Sequence, residues 1–251
     1  FLRKSGLTQH QLEDRDGVGR EVGPAGVATR SGTLEEGEAG QVAEPLRHVD
    51  GSCRGEPVGQ ASEADRRVAG SELVAPMMGP TDFVGPNATM TTYVKAPVVF
   101  YALGGVVGDS AAHRAFVDYA KEWRFKHPSP YDFMMSMNRS LGRNLDWFWY
   151  PWLFTTYTLD QAISSVVVRG ANAIVTIQDK GDMAMPIILR VDYTNGSFDT
   201  VVQAADVWFS GTRRVAMTIP LRGKTIRNIT LDPDNRFQDL DRSDNVWNSP
   251  R

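Results

Sequence analysis

From about residue 90 the apolar positions recur first with the 3.6-residue period of a helix and then with the two-residue period of a strand; before residue 77 they follow neither. Met90-Thr-Thr-Tyr93-Val-Lys95-Ala-Pro97 leads into an apolar helix, with Pro97 tolerated in its first turn. Gly108 is placed to end that helix, and Asp109 or Ser110 to cap the next, which carries Phe116, Tyr119, Ala120 and Trp123 on one side. Ser129 as N-cap, Pro130 at the first helical position and Asp132 two residues later predict a third helix starting at Pro130. Phe133, Met134, Met137 and Leu141 continue it, and Gly142 suits a left-handed cap. A fourth helix is expected from near Asn144 with Leu145, Phe148, Trp149, Trp152 and Leu153, where Pro151 predicts a kink or an early stop. Short loops throughout 91–157 favour antiparallel neighbours.

After Asp160 the runs shorten and alternate. Ser165–Val168, Ala173–Ile177, Pro186–Val191, Val201–Gln203, Ala205–Phe209, Arg214–Ile219 and Ile226–Leu231 read as strands, and Asn195-Gly196 between two of them predicts a type I′ hairpin turn. Seven short strands of this kind predict a small β-sandwich. The fold class is therefore α+β.

Composition changes the picture at the amino terminus. Up to about Ala75 there is no Trp, Tyr, Ile or Asn, and Phe1 is the only aromatic residue. Such a stretch cannot bury enough apolar area to offset roughly 1–2 kcal/mol of backbone entropy per residue, so disorder is expected there. The same composition fits GC-rich DNA read in the wrong frame, and a natural low-complexity linker would have it too. A chain opening on Phe1 reads as a fragment, which leaves the parent's compartment, periplasmic or secreted among the choices, undetermined. The net charge of -3 shows no basic surplus, which argues against nucleic acid as partner. One cysteine, Cys53, excludes an internal disulfide, and Ala96–Val107, the longest apolar run, is too short to span a bilayer.

Four separated motifs then occur in a particular order: T-T-Y93-x-K95-A-P; L-G-G-x-x-G-D109; Y119-x-x-x-W123-x-F-K-H127-P-x-P-x-D132-F133; and G142-x-x-L145-D-W147-F-W149-x-x-W152. Together they resemble the C-terminal part of the thermolysin-like catalytic domain of zinc aminopeptidases of the alanyl-aminopeptidase and leukotriene A4 hydrolase type. The closing run D232-P-D-x-x-F-x-D239-x-D-R-S-D-N245-x-W247 resembles the end of the β-sandwich that follows that domain in bacterial members. The resemblance covers about 77–247. It implies three parts: a leader over 1–76, the helical part of a peptidase domain over 77–158, and a sandwich with an acidic tail over 159–251. It also implies that Tyr93 donates a hydrogen bond to the oxyanion of the tetrahedral intermediate, a role that suits a phenol neutral at pH 7. Ala96 stands where the motif usually has Gly, and taken alone Tyr93 reads as a half-buried aromatic residue ahead of a helix.

The family's zinc needs H-E-x-x-H on one helix face and a second Glu one helix later, and its glycine-rich exopeptidase motif anchors the substrate amine. This sequence has neither: His10, His48, His113 and His127 never fall at that spacing. Losing an oxyanion donor costs about 3–4 kcal/mol, whereas lowering the pKa of water from about 15.7 to about 7 is worth roughly 12 kcal/mol. The chain alone is therefore expected to bind no zinc and to hydrolyse no peptide, although the intact parent would remove N-terminal residues from peptides. The rival expectation is a non-catalytic module that binds protein or peptide. His127 is expected to pack structurally, the acidic tail to be a solvated turn rather than a calcium loop, and Trp147, Phe148, Trp149 and Trp152 to be core rather than a stacking platform. A half-domain should also leave Phe100, Tyr101 or the tryptophan cluster partly exposed and self-associate through them.

Overall fold

The computed structural model describes residues 90–250, together with 64, 67, 69 and 76–78. All of these lie within 46–251, and the expectations for the leader, His10, His48 and Cys53 lie outside the described residues.

A π-helical turn, Met90–Lys95, runs straight into α1, Ala96–Val107, followed by α2 (Asp109–Trp123), α3 (Pro130–Leu141) and α4 (Asp146–Phe154). The wider winding has a local cause. Pro97 offers no N–H to the carbonyl four residues earlier, which is that of Tyr93, and its ring crowds that carbonyl; a π turn absorbs both. Gly108 ends α1 with φ 87° and is also the N-cap of α2, so neither Asp109 nor Ser110 caps. Asp109 lies inside the helix, where its carboxylate pairs with Arg236 at 2.6 and 2.7 Å. Helix α3 matches its sequence signals: Ser129 and Asp132 form a reciprocal capping box, and Gly142 closes the helix at φ 61°, ψ 25°. Helix α4 begins at Asp146 and continues through Pro151 to Phe154.

Seven strands form two antiparallel sheets. β1 (Gln161–Arg169), β2 (Asn172–Asp179) and β5 (Arg214–Pro220) make one in the order β1-β2-β5; β3 (Ile187–Tyr193), β4 (Phe198–Gln203), β6 (Ile226–Leu231) and β7 (Val246–Asn248) make the other in the order β4-β3-β6-β7. Two expectations change. Ala205–Trp208 is a 3-10 turn, because Trp208 turns inward and its indole N–H donates to the Met185 carbonyl at 2.9 Å, which alternation cannot foresee. The seventh strand is instead β7, paired with β6. At the β3–β4 connection only Gly196 has positive φ, 82°, so the turn is not type I′. Gly196 N–H bonds to Tyr193 O, Tyr193 N–H to Ser197 O, and the Asn195 side chain takes the Ser197 N–H; a type I turn closed by a left-handed glycine satisfies each donor.

The inner residues of both sheets share one core of Ala173, Val175, Ile177, Ile187, Leu189, Val191, Met217, Ile219, Ile229 and Leu231. The helices build a second, from Val99, Leu103, Met137, Phe148, Trp149 and Trp152. Strand β3 serves both. Ile187, Leu189 and Val191 face the sheet core, while Ile188, with Met183 and Met185 of the preceding loop, belongs to the helical core. That is why β3 is buried on both faces. Of the tryptophan cluster, Phe148, Trp149 and Trp152 are buried and Trp147 is half-buried. Phe100 is exposed and Tyr101 half-buried, as expected of them, and Tyr131, Met135 and Tyr150 are exposed as well.

Candidate functional site

Tyr93 sits on the π-helical turn with 74% of its surface exposed, so the half-buried reading does not hold. The turn itself is fastened. Two residues on, Lys95 is buried and its Nζ lies 3.5 Å from the carbonyl of Thr155, just past the end of α4. Thr155 is held in turn, its hydroxyl donating to Pro151 O at 2.7 Å and accepting the Tyr157 N–H at 3.1 Å. Met78 reaches the same place, its N–H bonding to Leu153 O at 2.8 Å. The result is an exposed phenol on a turn whose other face is pinned to the end of α4.

Helix α1 is pinned at its far end as well. A Cβ on Gly105 would come within 2.9 Å of the Arg236 Cβ and 3.1 Å of the Phe237 ring, so the missing side chain is what lets the 232–240 loop lie against the helix. Arg236 completes the joint by stacking over Tyr101 at 4.5 Å while it pairs with Asp109. Tyr101 donates its hydroxyl to Asp234 O at 3.0 Å.

That loop is not a solvated turn. Asp232 is buried, and its carboxylate accepts the N–H groups of Arg236 at 2.8 Å and Phe237 at 2.9 Å and a guanidinium N–H of Arg242 at 3.0 Å. Burial pushes its carboxyl upward against the pull of those donors. Asp239, also buried, accepts the N–H groups of Gln161 and Asp241, and burial raises it to about 6. Asp241 is spent on Ser243, and Lys180 lies between Asp160 and Asp244. Both oxygens of Asp232 and of Asp239 are taken by internal donors, which is a different arrangement from a calcium loop.

His113 and His127 are both exposed, on α2 and on the α2–α3 loop, so His127 does not pack. Among the described residues no group of three or more His, Cys, Asp or Glu is placed to hold a metal. Nor is any helix among them long and apolar enough to cross a membrane. Lys95 is the residue that sequence reasoning passed over as part of a motif. The available signal was a lysine within an otherwise apolar run one turn into a helix, where it must find a carbonyl or leave the core.

No protein-family model matches the chain, and no curated protein matches it. Among solved structures the chain is similar to Legionella pneumophila aminopeptidase A, crystallised in complex with aspartic acid, with 12% identity and a TM-score of 0.40. The match covers 52% of this chain and 15% of that one.

Proposed function

We propose that this chain is the C-terminal part of a zinc aminopeptidase of the alanyl type, and that its own share of the chemistry is one hydrogen bond, from the Tyr93 hydroxyl to the oxyanion formed when the peptide carbonyl next to the N-terminal residue is attacked. The supporting observation is the placement of Tyr93, exposed at its ring yet carried on a turn that Lys95 ties to Thr155. A donor held in place before charge develops needs no reorganisation at the moment of reaction. The zinc ligands, the general base and the anchor for the substrate amine all belong to sequence outside the described residues, and the chain by itself is inactive.

The test has two arms. The purified chain, incubated with alanyl-p-nitroanilide with and without added zinc, is expected to release nothing above background; chelator-sensitive release overturns its inactivity. In the parent gene product, Tyr93→Phe is expected to lower kcat about 10²- to 10³-fold with KM little changed. Upstream DNA that encodes no H-E-x-x-H in any frame would sink the assignment.

A second reading, a non-catalytic module that binds protein or peptide, is favoured by a different observation. Tyr131 and Tyr150 stay exposed with their rings 6.0 and 6.2 Å from that of Phe154, an aromatic surface on α3 and α4 that the helical core does not use. A conventional start codon and ribosome site ahead of the leader would support it.

A further inference from the structure

The α2–α3 connection carries the most exposed large apolar residue described in the molecule. Phe125 is 89% exposed and adopts φ 61°, a left-handed conformation that a bulky side chain avoids. Nothing in the interior is gained by this strain, since the ring is outside. The loop is nevertheless well defined: Lys126 N–H closes a turn onto Trp123 O at 2.9 Å, and on the far side Pro128 leads into the Ser129–Asp132 capping box. A backbone outlier held rigidly while its side chain points to water is better read as presentation of that side chain than as packing.

The flanking residues say to what. Arg124 and Lys126 bracket Phe125 and His127 follows, all of them exposed. The Arg124 guanidinium lies 4.8 Å from the Phe125 ring centre and the Lys126 ammonium 5.7 Å from that of Trp123, so both cations are carried on aromatic faces. The carboxylate of the preceding residue, Glu122, is already engaged by Ser136 and by both bonds of Arg139, which, with the weaker pull of the Lys126 charge, hold its carboxyl below the usual range. The tip is therefore locally cationic in a chain whose net charge is -3.

We infer that the Arg124–His127 loop is a docking tip for an anionic lipid surface, with Phe125 entering the headgroup region and Arg124 and Lys126 meeting phosphates. A convex tip with one ring and cations on either side suits a surface that yields to a wedge. A protein partner would instead have to supply a pocket, and its hot spots form where aromatic anchors are fully desolvated at the centre of a broad patch.

The test is sedimentation of the full chain with vesicles of phosphatidylcholine alone or mixed with phosphatidylserine, at low and high salt. Binding is expected to the mixed vesicles only, and to weaken as salt rises. Phe125→Ala should reduce it about tenfold, and Arg124→Gln or Lys126→Gln about fivefold each. Because all three side chains are exposed, circular dichroism of the variants should match that of the parent chain. Equal binding to neutral vesicles, no binding, or binding indifferent to Phe125→Ala would each overturn the inference. So would self-association without vesicles that these same substitutions abolish, which would make the loop a contact between copies.

Discussion

The helices and the sheets of this chain bury apolar surface by opposite routes. In the sheets the inner residues are mostly aliphatic, with Tyr193 and Trp208 among them, and in β2 they follow the strand period, so that Ala173, Val175 and Ile177 point inward while Ile174 and Thr176 do not. In the helices the core is built from a few large rings in edge contact, such as Phe133 against Trp149 at 5.7 Å and Phe148 against Trp149 at 5.0 Å. Helix α4, DWFWYPWLF, is apolar around its whole circumference, and its pattern does not say which ring is inside. Phe148, Trp149 and Trp152 are, and Tyr150 is not. A strand thus declares its faces, whereas an all-apolar helix takes them from its neighbours.

That difference can be put to the test by truncation. Trp149→Ala removes a ring that touches two others and leaves the Asn138 oxygen, which accepts the indole N–H at 2.8 Å, with only the Leu145 N–H at 3.3 Å; the loss is expected at about 3–5 kcal/mol by urea unfolding. Leu189→Ala, in the sheet core, is expected nearer 2–3 kcal/mol, because smaller neighbours close up more readily. A larger loss at Leu189 would break the contrast.

Acid should act on the sheet side and the loop that closes it. Asp239, at the parallel bridge to Leu159, binds its proton more tightly folded, at about 6, than unfolded, at the ordinary 3.8. The folded state takes up the proton first as pH falls, so this group adds stability between pH 7 and pH 4, by roughly 2–3 kcal/mol. Asp179 and Asp232, also raised by burial, push in the same direction. Unfolding midpoints measured across that range should show the rise, and Asp239→Asn should flatten it; an unchanged slope would mean that the buried carboxyl does not titrate there.

The smallest effect concerns the joint between the two regions. Gly105→Ala improves helix propensity by about 1 kcal/mol, yet its methyl meets the Arg236 Cβ and the Phe237 ring. The clash is expected to win, leaving a net loss of about 1 kcal/mol, and the loss should shrink without vanishing when Phe237→Ala is already present, because the contact with the Arg236 Cβ remains. A stabilised single variant would show that the loop yields without cost.

Much of this architecture was legible in advance. The α3 capping box and Gly142 were readable because a cap is local: a side chain and a backbone N–H three residues away settle it without reference to the rest of the fold. Strands β2 and β4 were readable because alternation records which side faces a core, and β3 because a short run rich in β-branched residues between turn signals fits a strand even when both faces are buried. Tyr93 was legible as a candidate, but its exposure was not, because nothing in Tyr93-Val-Lys95 says that the lysine would be the residue drawn inward to the Thr155 carbonyl. The same limit applies to Ala205–Phe209, whose alternation fits a strand until Trp208 is given the Met185 carbonyl as a partner. It applies again to Asp232 and Asp239, acidic residues in a polar run that become buried only when backbone N–H groups converge on them. The order of helices and strands, the α3 cap and most of the places where the chain must turn follow from local residues, because they are short-range matters of sterics and hydrogen bonding. Which rings of α4 are interior, that β3 is shared between two cores, and which charges are buried follow from packing alone, since each depends on groups distant in the chain supplying contacts that no local pattern encodes.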